Sequence, residues 1–349
     1  MTNRFFFQYE IMFFQLLTTW ILCSLLSPWQ YLTVLALPRP TTDFCWNNID
    51  TLFVFGDSYS YVEGRLGTKE FSWNNFTSPG AVHHDPILVN KTSANGPNWA
   101  EYLTDCYEGL PQRCHKKLYD IAFAGADIDP VLITKHHPYT ISFVEQIEQW
   151  KENMVHAVPW KTQNTLATFW MGINDVGDTS SWTNISFPTF YNELIDIYFN
   201  HVDKVYDQNV RSFLFFNVPP RHRSPGGDNN TTYANIIQTF NTVLNEHIGV
   251  FQSKHTDAHV MLINAFDLFN KYLDNAEELG FKDISNFCPN STAPDINTNY
   301  ESYGCLPPYE YFWLSKLVFF LIVVVFGYMS DQQQEEEKRR RDNHVRSKQ

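Results

Sequence analysis

The chain predicts an α/β fold, a three-layer α/β/α sandwich built on a five-stranded parallel sheet. Three observations predict it. Five short runs are almost continuously apolar and are bounded by Gly, Pro, Asn or Asp, the pattern of strands covered on both faces. Amphipathic helical stretches separate these runs, as right-handed crossovers require. No internal repeat and no Pro- or Ser-rich linker interrupts residues 45–310.

The strands are expected at "TLFVFG" (51–56), "LYDIAFAG" (118–125), "TLATFWMG" (165–172), "RSFLFFNV" (211–218) and "HVMLINA" (259–265). The clearest helix is expected from Phe187 to Gln208. There Phe187, Phe190, Tyr191, Leu194, Tyr198, Val202 and Val205 recur at three- and four-residue steps and form one apolar stripe. "YANIIQTFNTVLNEHIGVFQ" (233–252) repeats the pattern.

A length of 349 residues suits one sizeable α/β domain or two small ones. The formal net charge of −13 opposes phosphate backbones, so nucleic acid is excluded as an expected partner. Aromatic residues make up 16% of the chain, which fits a large aromatic core and also a carbohydrate-facing surface.

The first 40 residues read as an export signal rather than as part of the fold. Arg4 precedes the apolar stretch Ile11–Leu26, and a second one, "YLTVLALP", follows. The combined length also suits an uncleaved signal anchor, and Met12 is an alternative start. Asn75, Asn90, Asn184, Asn229, Asn230 and Asn290 each head an N-x-S/T sequon. Apart from Cys23, inside the signal, the chain has Cys45, Cys106, Cys114, Cys288 and Cys305. In an oxidising compartment Cys106–Cys114 and Cys288–Cys305 are the expected pairs, because each closes a local loop. The expected location is therefore the secretory pathway, with the domain extracellular or membrane-anchored. No Cys or His spacing of a metal site occurs, and no cofactor is expected. The pairs His83–His84 and His136–His137 read as polar surface.

In an open parallel sheet the ligand crevice lies beyond the carboxyl ends of the strands. "GDSYS" follows the first run there, "GADID" the second and "GINDVGD" the third. Ser58 stands on a strand-to-helix turn where a hydroxyl is exposed. Gly125 permits close backbone approach, and the Asn174 carboxamide is an uncharged donor suited to developing negative charge. Each also has an ordinary structural role, as a turn residue, a cap or a strand terminator.

The order "FGDSYS", "FAGAD", "GIND" resembles the SGNH (GDSL-type) hydrolases, whose sandwich is flavodoxin-like. "SANGPNWAEYLT" (93–104), "GINDVGD" (172–178) and "FFNVPPRHRSP" (215–225) resemble the fungal secreted acetylesterases of carbohydrate esterase family sixteen. The resemblance implies Ser58 as nucleophile. It implies an oxyanion hole made by the Ser58 N–H, the Gly125 N–H and the Asn174 side chain. The implied substrate is an acetylated sugar, oligosaccharide or other small acyl ester.

The same resemblance calls for a general base. A serine hydroxyl needs a histidine oriented by a carboxylate, placed in these hydrolases as a C-terminal D-x-x-H. Here "PPYEYFW" ends at Trp313, and Leu314 and Leu317 occupy the Asp and His positions. The later His344 sits in a charged tail. Asp257 and His259 precede the fifth strand and belong at the opposite end of the sheet. The base and its Asp are therefore not located.

The expected organisation is a signal at 1–40, the hydrolase domain at 45–313, an apolar segment at 314–330 and a charged tail at 331–349. Three readings stay open for the apolar segment: a membrane tether held by the basic 338–341, a buried element, or sequence foreign to the ancestral protein. Two functions are compatible with these residues. One is an ester hydrolase working through a serine acyl-enzyme. The other is an inactive sugar-binding surface glycoprotein on the same scaffold.

Overall fold

The computed structural model describes residues 44–62, 86–94 and 96–314. The expected signal, Cys23, Asn75, His83–His84, nearly all of the apolar segment and the charged tail lie outside the described residues. Among the described residues no helix is long and apolar enough to cross a membrane.

Five parallel strands form one sheet: β1 (Thr51–Gly56), β2 (Lys117–Asp120), β3 (Thr165–Trp170), β4 (Ser212–Phe216) and β5 (His259–Ile263). Their order is β2-β1-β3-β4-β5. Every strand coincides with its expected apolar run to within a residue at its start. β1, β3 and β4 are buried throughout, whereas the edge strand β5 is mostly half-buried. β2 ends at Asp120, sooner than its hydropathy suggests. Beyond it the chain still follows β1, with Ile121 N–H donating to the Val54 carbonyl at 2.7 Å and Phe123 N–H to that of Gly56 at 3.0 Å.

Helices cover both faces. They are α1 (Trp99–Thr104), α2 (Phe143–Asn153), α3 (Ile173–Thr179), α4 (Phe187–Asp207), α5 (Thr231–Lys254) and α6 (Ala265–Asp274), with a short α7 (Ile296–Asn299). Side-chain alternation along the strands sorts the layers. Phe53 and Phe55 pack against Trp150 of α2. Phe215, from the same face, meets Phe199 of α4 and Phe251 of α5. Trp170 and Phe216 point the other way, onto Trp99 of α1. The expected stripe on α4 is the buried one: Tyr191, Leu194, Tyr198, Val202 and Val205 all face the core, with Phe187 and Phe190 half-buried at its start. The Asn230 side chain caps α5 by accepting from Tyr233 N–H at 3.1 Å.

Cys106–Cys114 and Cys288–Cys305 are bonded, as their spacing predicts. Cys45 is buried outside both pairs. The second disulfide centres a small separate core with Ile296 and Tyr311. Phe312 and Trp313 then return the chain to the main core, where Trp313 Nε1 donates to the Ile284 carbonyl at 2.7 Å.

Candidate active site

Ser58 is half-buried in the turn that leaves β1, between the buried Asp57 and Tyr59. The turn is tied down on every side. The Asp57 carbonyl accepts from Ser60 N–H at 3.1 Å and from Tyr61 N–H at 3.0 Å. Its carboxylate accepts from Tyr59 N–H at 2.9 Å. Below, the Gln146 carboxamide brackets Gly56, accepting from its N–H at 3.1 Å and donating to its carbonyl at 2.8 Å. From the side, Asn98 donates to the carbonyls of Ser60 and Tyr61, and Trp99 Nε1 donates to Ser60 Oγ at 3.2 Å. The "GPNW" phrase therefore acts as a brace for the serine turn.

Gly125 follows β2 at φ +81°, a left-handed conformation that favours glycine. Asn174 opens α3 after β3, and its Nδ2 donates to the Ala126 carbonyl at 2.9 Å. Asp175 accepts from Ile128 N–H at 2.8 Å. The loops after β2 and β3 are thus directly bonded. Ser58 joins them through the strand register, since Gly56 pairs with Trp170 and accepts from Phe123 N–H. All three expected residues stand at the carboxyl ends of three adjacent strands.

Arg221, in the loop after β4, completes the floor. Its Nη1 donates to the Ile173 carbonyl at 2.8 Å, and the guanidinium lies 5.9 Å from the Tyr233 ring centre. The phrase "FFNVPPRHRSP" carries the family resemblance but gives no role for this arginine.

Carboxyl groups are concentrated beneath this surface. Asp57, Asp127 and Asp175 are all buried, at 0%, 2% and 0% exposure. Burial pushes Asp57 up to about 8, against the opposing pull of the Tyr59 amide. Burial, reinforced by repulsion from neighbouring carboxylates such as Asp178, also raises Asp127 and Asp175. His136 is exposed, as its polar-surface reading expects, but it has a specific partner. Its Nε2 is 2.5 Å from Asp178 Oδ2, and its Nδ1 lies 3.2 Å from where a Cβ on Gly125 would stand. The bond to Asp178 raises the imidazole above its ordinary value. Its partner is 42 residues away, so no local motif announces the pair.

The position expected for the family's Asp is apolar and enclosed. Leu314 is buried, and its carbonyl accepts from Ser291 Oγ at 3.1 Å. Leu317 lies outside the described residues. Other described His–Asp pairs belong to the helical layer: His247 with Asp196 at 2.9 Å and His255 with Asp203 at 2.6 Å. Asp257 accepts from Tyr206 Oη and Arg211 Nε just before β5, at the amino edge of the sheet. A polar cleft of about 300 Å³ beside Arg221, Gly177 and Tyr233 borders α3. A larger one, of about 440 Å³, is lined by Trp160, Lys161 and Asn209 at the amino ends of the strands, away from Ser58.

Residues 52–301 match the GDSL-like lipase/acylhydrolase family. An acetylesterase from Thermothelomyces thermophilus is 26% identical over 250 residues, 69% of this chain and 78% of that protein. Among solved structures, a gut microbial diltiazem-metabolizing enzyme aligns with a TM-score of 0.38 at 12% identity. That alignment covers 72% of this chain but only 43% of the other, and the likeness is too distant to bear on chemistry.

Proposed function

The chain belongs to the GDSL-like lipase/acylhydrolase family, an ester-hydrolysing family, and on that premise we propose that Ser58 is its nucleophile. The Ser58 and Gly125 N–H groups and the Asn174 carboxamide form the oxyanion hole. The observation that carries this reading is the 2.9 Å bond from Asn174 to the Ala126 carbonyl, which ties the asparagine to the loop holding Gly125. A carboxamide has two N–H protons, so one remains for an oxyanion.

In this mechanism Ser58 Oγ attacks the acyl carbon and the carbonyl oxygen becomes an oxyanion in the hole. Collapse breaks the ester C–O bond and releases the alcohol with a proton. Water then attacks the acyl-serine, freeing the acid and restoring the hydroxyl. Both halves need a group that takes and returns the serine proton, and the buried Leu314 stands where the family phrase supplies the carboxylate. The substrate class is a small acyl ester, and an acetylated carbohydrate is the specific form we favour, in line with the acetylesterase relative.

A second reading is a scaffold that binds acetylated sugar without turning it over. The apolar character of Leu314 favours it. Either form would be exported behind a signal at 1–40, with the hydrolase domain at 45–313. The sequon residues Asn90, Asn184, Asn229, Asn230 and Asn290 are exposed, as glycosylation requires. A membrane tether at 314–330 remains a proposal of the sequence.

The test is turnover of p-nitrophenyl acetate and acetylated xylo-oligosaccharide by the full chain and by Ser58→Ala. Turnover lost in Ser58→Ala supports the esterase. Turnover unchanged in that variant overturns the assignment of Ser58. No turnover, with sugar binding retained, selects the second reading.

A further inference from the structure

We propose that Asp127, His136 and Asp178 form a binding site for one divalent transition ion of the zinc or manganese kind. One donor atom from each residue lies within 4.8 Å of the others. The three come from two segments, the loop after β2 and the helix α3, so an ion between them would fasten one to the other.

Asp127 supplies the independent observation. It is 2% exposed, and neither carboxylate oxygen has a hydrogen-bond partner. A buried carboxylate without a donor is costly unless a proton or a cation neutralises it. Its neighbours sharpen the need, because Asp175 and Asp178 add negative charge beside it. Arg221 makes no hydrogen bond to Asp127, and its Nη1 donates to the Ile173 carbonyl instead.

The layout has an entry side. Asp127 forms the floor, while the His136 and Asp178 side chains are 35% and 34% exposed at the rim. An imidazole with two carboxylates suits zinc or manganese, with water filling the remaining positions. Calcium is a poor match, because it seeks six to eight oxygens and three protein donors are present here. His136 Nε2 and Asp178 Oδ2 are 2.5 Å apart, closed on each other by a proton. Ligands about 2.1 Å from a common ion sit roughly 3–3.4 Å apart. The ion would displace that proton and open the pair by under an ångström, within the range of partly exposed side chains.

The site adjoins Gly125, where a Cβ would stand 3.2 Å from His136 Nδ1, and Asn174, in the first turn of the helix carrying Asp178. Its expected effect is to fix the wall next to the serine turn. The proposal stands apart from any role of Ser58.

The experiment is calorimetric titration of chelator-treated full chain with zinc chloride, and separately with manganese chloride. Wild type and Ser58→Ala are expected to bind one equivalent with equal affinity. Asp127→Asn, His136→Ala and Asp178→Asn are expected to weaken binding by about tenfold or more. Melting with saturating metal is expected to raise the Tm of wild type and not that of Asp127→Asn. Should Asp127→Asn fail to fold, His136→Ala decides, since its side chain is at the rim. Absence of saturable binding below millimolar metal overturns the site, and so does binding that all three variants retain. Because the readout is heat and melting, loss of ester turnover would leave the result unaffected.

Discussion

Gly177 and Arg221 touch so closely that a Cβ on the glycine would stand 2.0 Å from Nη1 of the arginine. That nitrogen is the one that donates to the Ile173 carbonyl at 2.8 Å. The glycine in "NDVGD" therefore serves a partner on another strand's loop.

Gly177→Ala is expected to push the guanidinium off Ile173 and lower stability by about 1.5–3 kcal/mol, the range for a hydrogen bond from a charged donor. Calorimetric melting checks this. Adding Gly177→Ala to Arg221→Ala should cost little more than Arg221→Ala alone, because both changes remove the same contact.

Stability should fall as pH rises through neutrality. Asp57 and Glu101 are each pushed up to about 8 by burial, from ordinary values of 3.8 and 4.5. A carboxyl raised in the folded state holds its proton more tightly there than in the unfolded chain. Its contribution is full below the unfolded value and is lost as pH climbs toward about 8. Glu145, lowered by its Lys135 and Ser142 partners despite burial, works oppositely and loses its contribution as pH falls. Tm is expected to be several degrees higher near pH 5.5 than near pH 8.5. Asp57→Asn should flatten that slope while keeping the acceptor for Tyr59 N–H.

Asn174→Ala should lower kcat on p-nitrophenyl acetate by about 10²–10³, the usual loss for one oxyanion donor. The accompanying loss of the Ala126 bond is worth only about 1 kcal/mol of stability. A matched fall in kcat and Tm would identify a merely structural asparagine.

Replacing Leu314 by Asp together with Leu317 by His restores the family phrase. If the missing dyad limits the reaction, kcat/KM should rise by about 10²–10⁴, the range for a positioned base. The gain should vanish in Ser58→Ala. Turnover as low as in the parent chain would count against a Ser58 mechanism assisted from this position.

Hydropathy located the strands because burial is what it measures. It carried the β2 run past Asp120, since Ile121, Ala122 and Phe123 are as buried as the strand they continue. Bonds to β1 continue there through Ile121 and Phe123, so the end of β2 has no compositional trace. The stripe on α4 was legible for the same reason, being periodic. Ser58, Gly125 and Asn174 were legible because each follows a strand directly, where topology fixes its level. His136 was legible as polar surface but its bond to Asp178 was not, because the partner lies 42 residues away. The bracing by Gln146 and Asn98 likewise joins segments that no local pattern connects.

Among the described residues Trp313 is the last large side chain to enter the main core, and Leu314 is buried just beyond it. The sheet, its helices and both disulfides are therefore assembled from residues that precede the expected catalytic dyad. Cellular inspection of a folding protein responds to exposed apolar surface, and most of the large apolar side chains of this part are in the core. Inheritance of the shape and inheritance of the activity are consequently separable here. The residues that decide the shape and the positions expected to decide the chemistry are thus consecutive rather than shared.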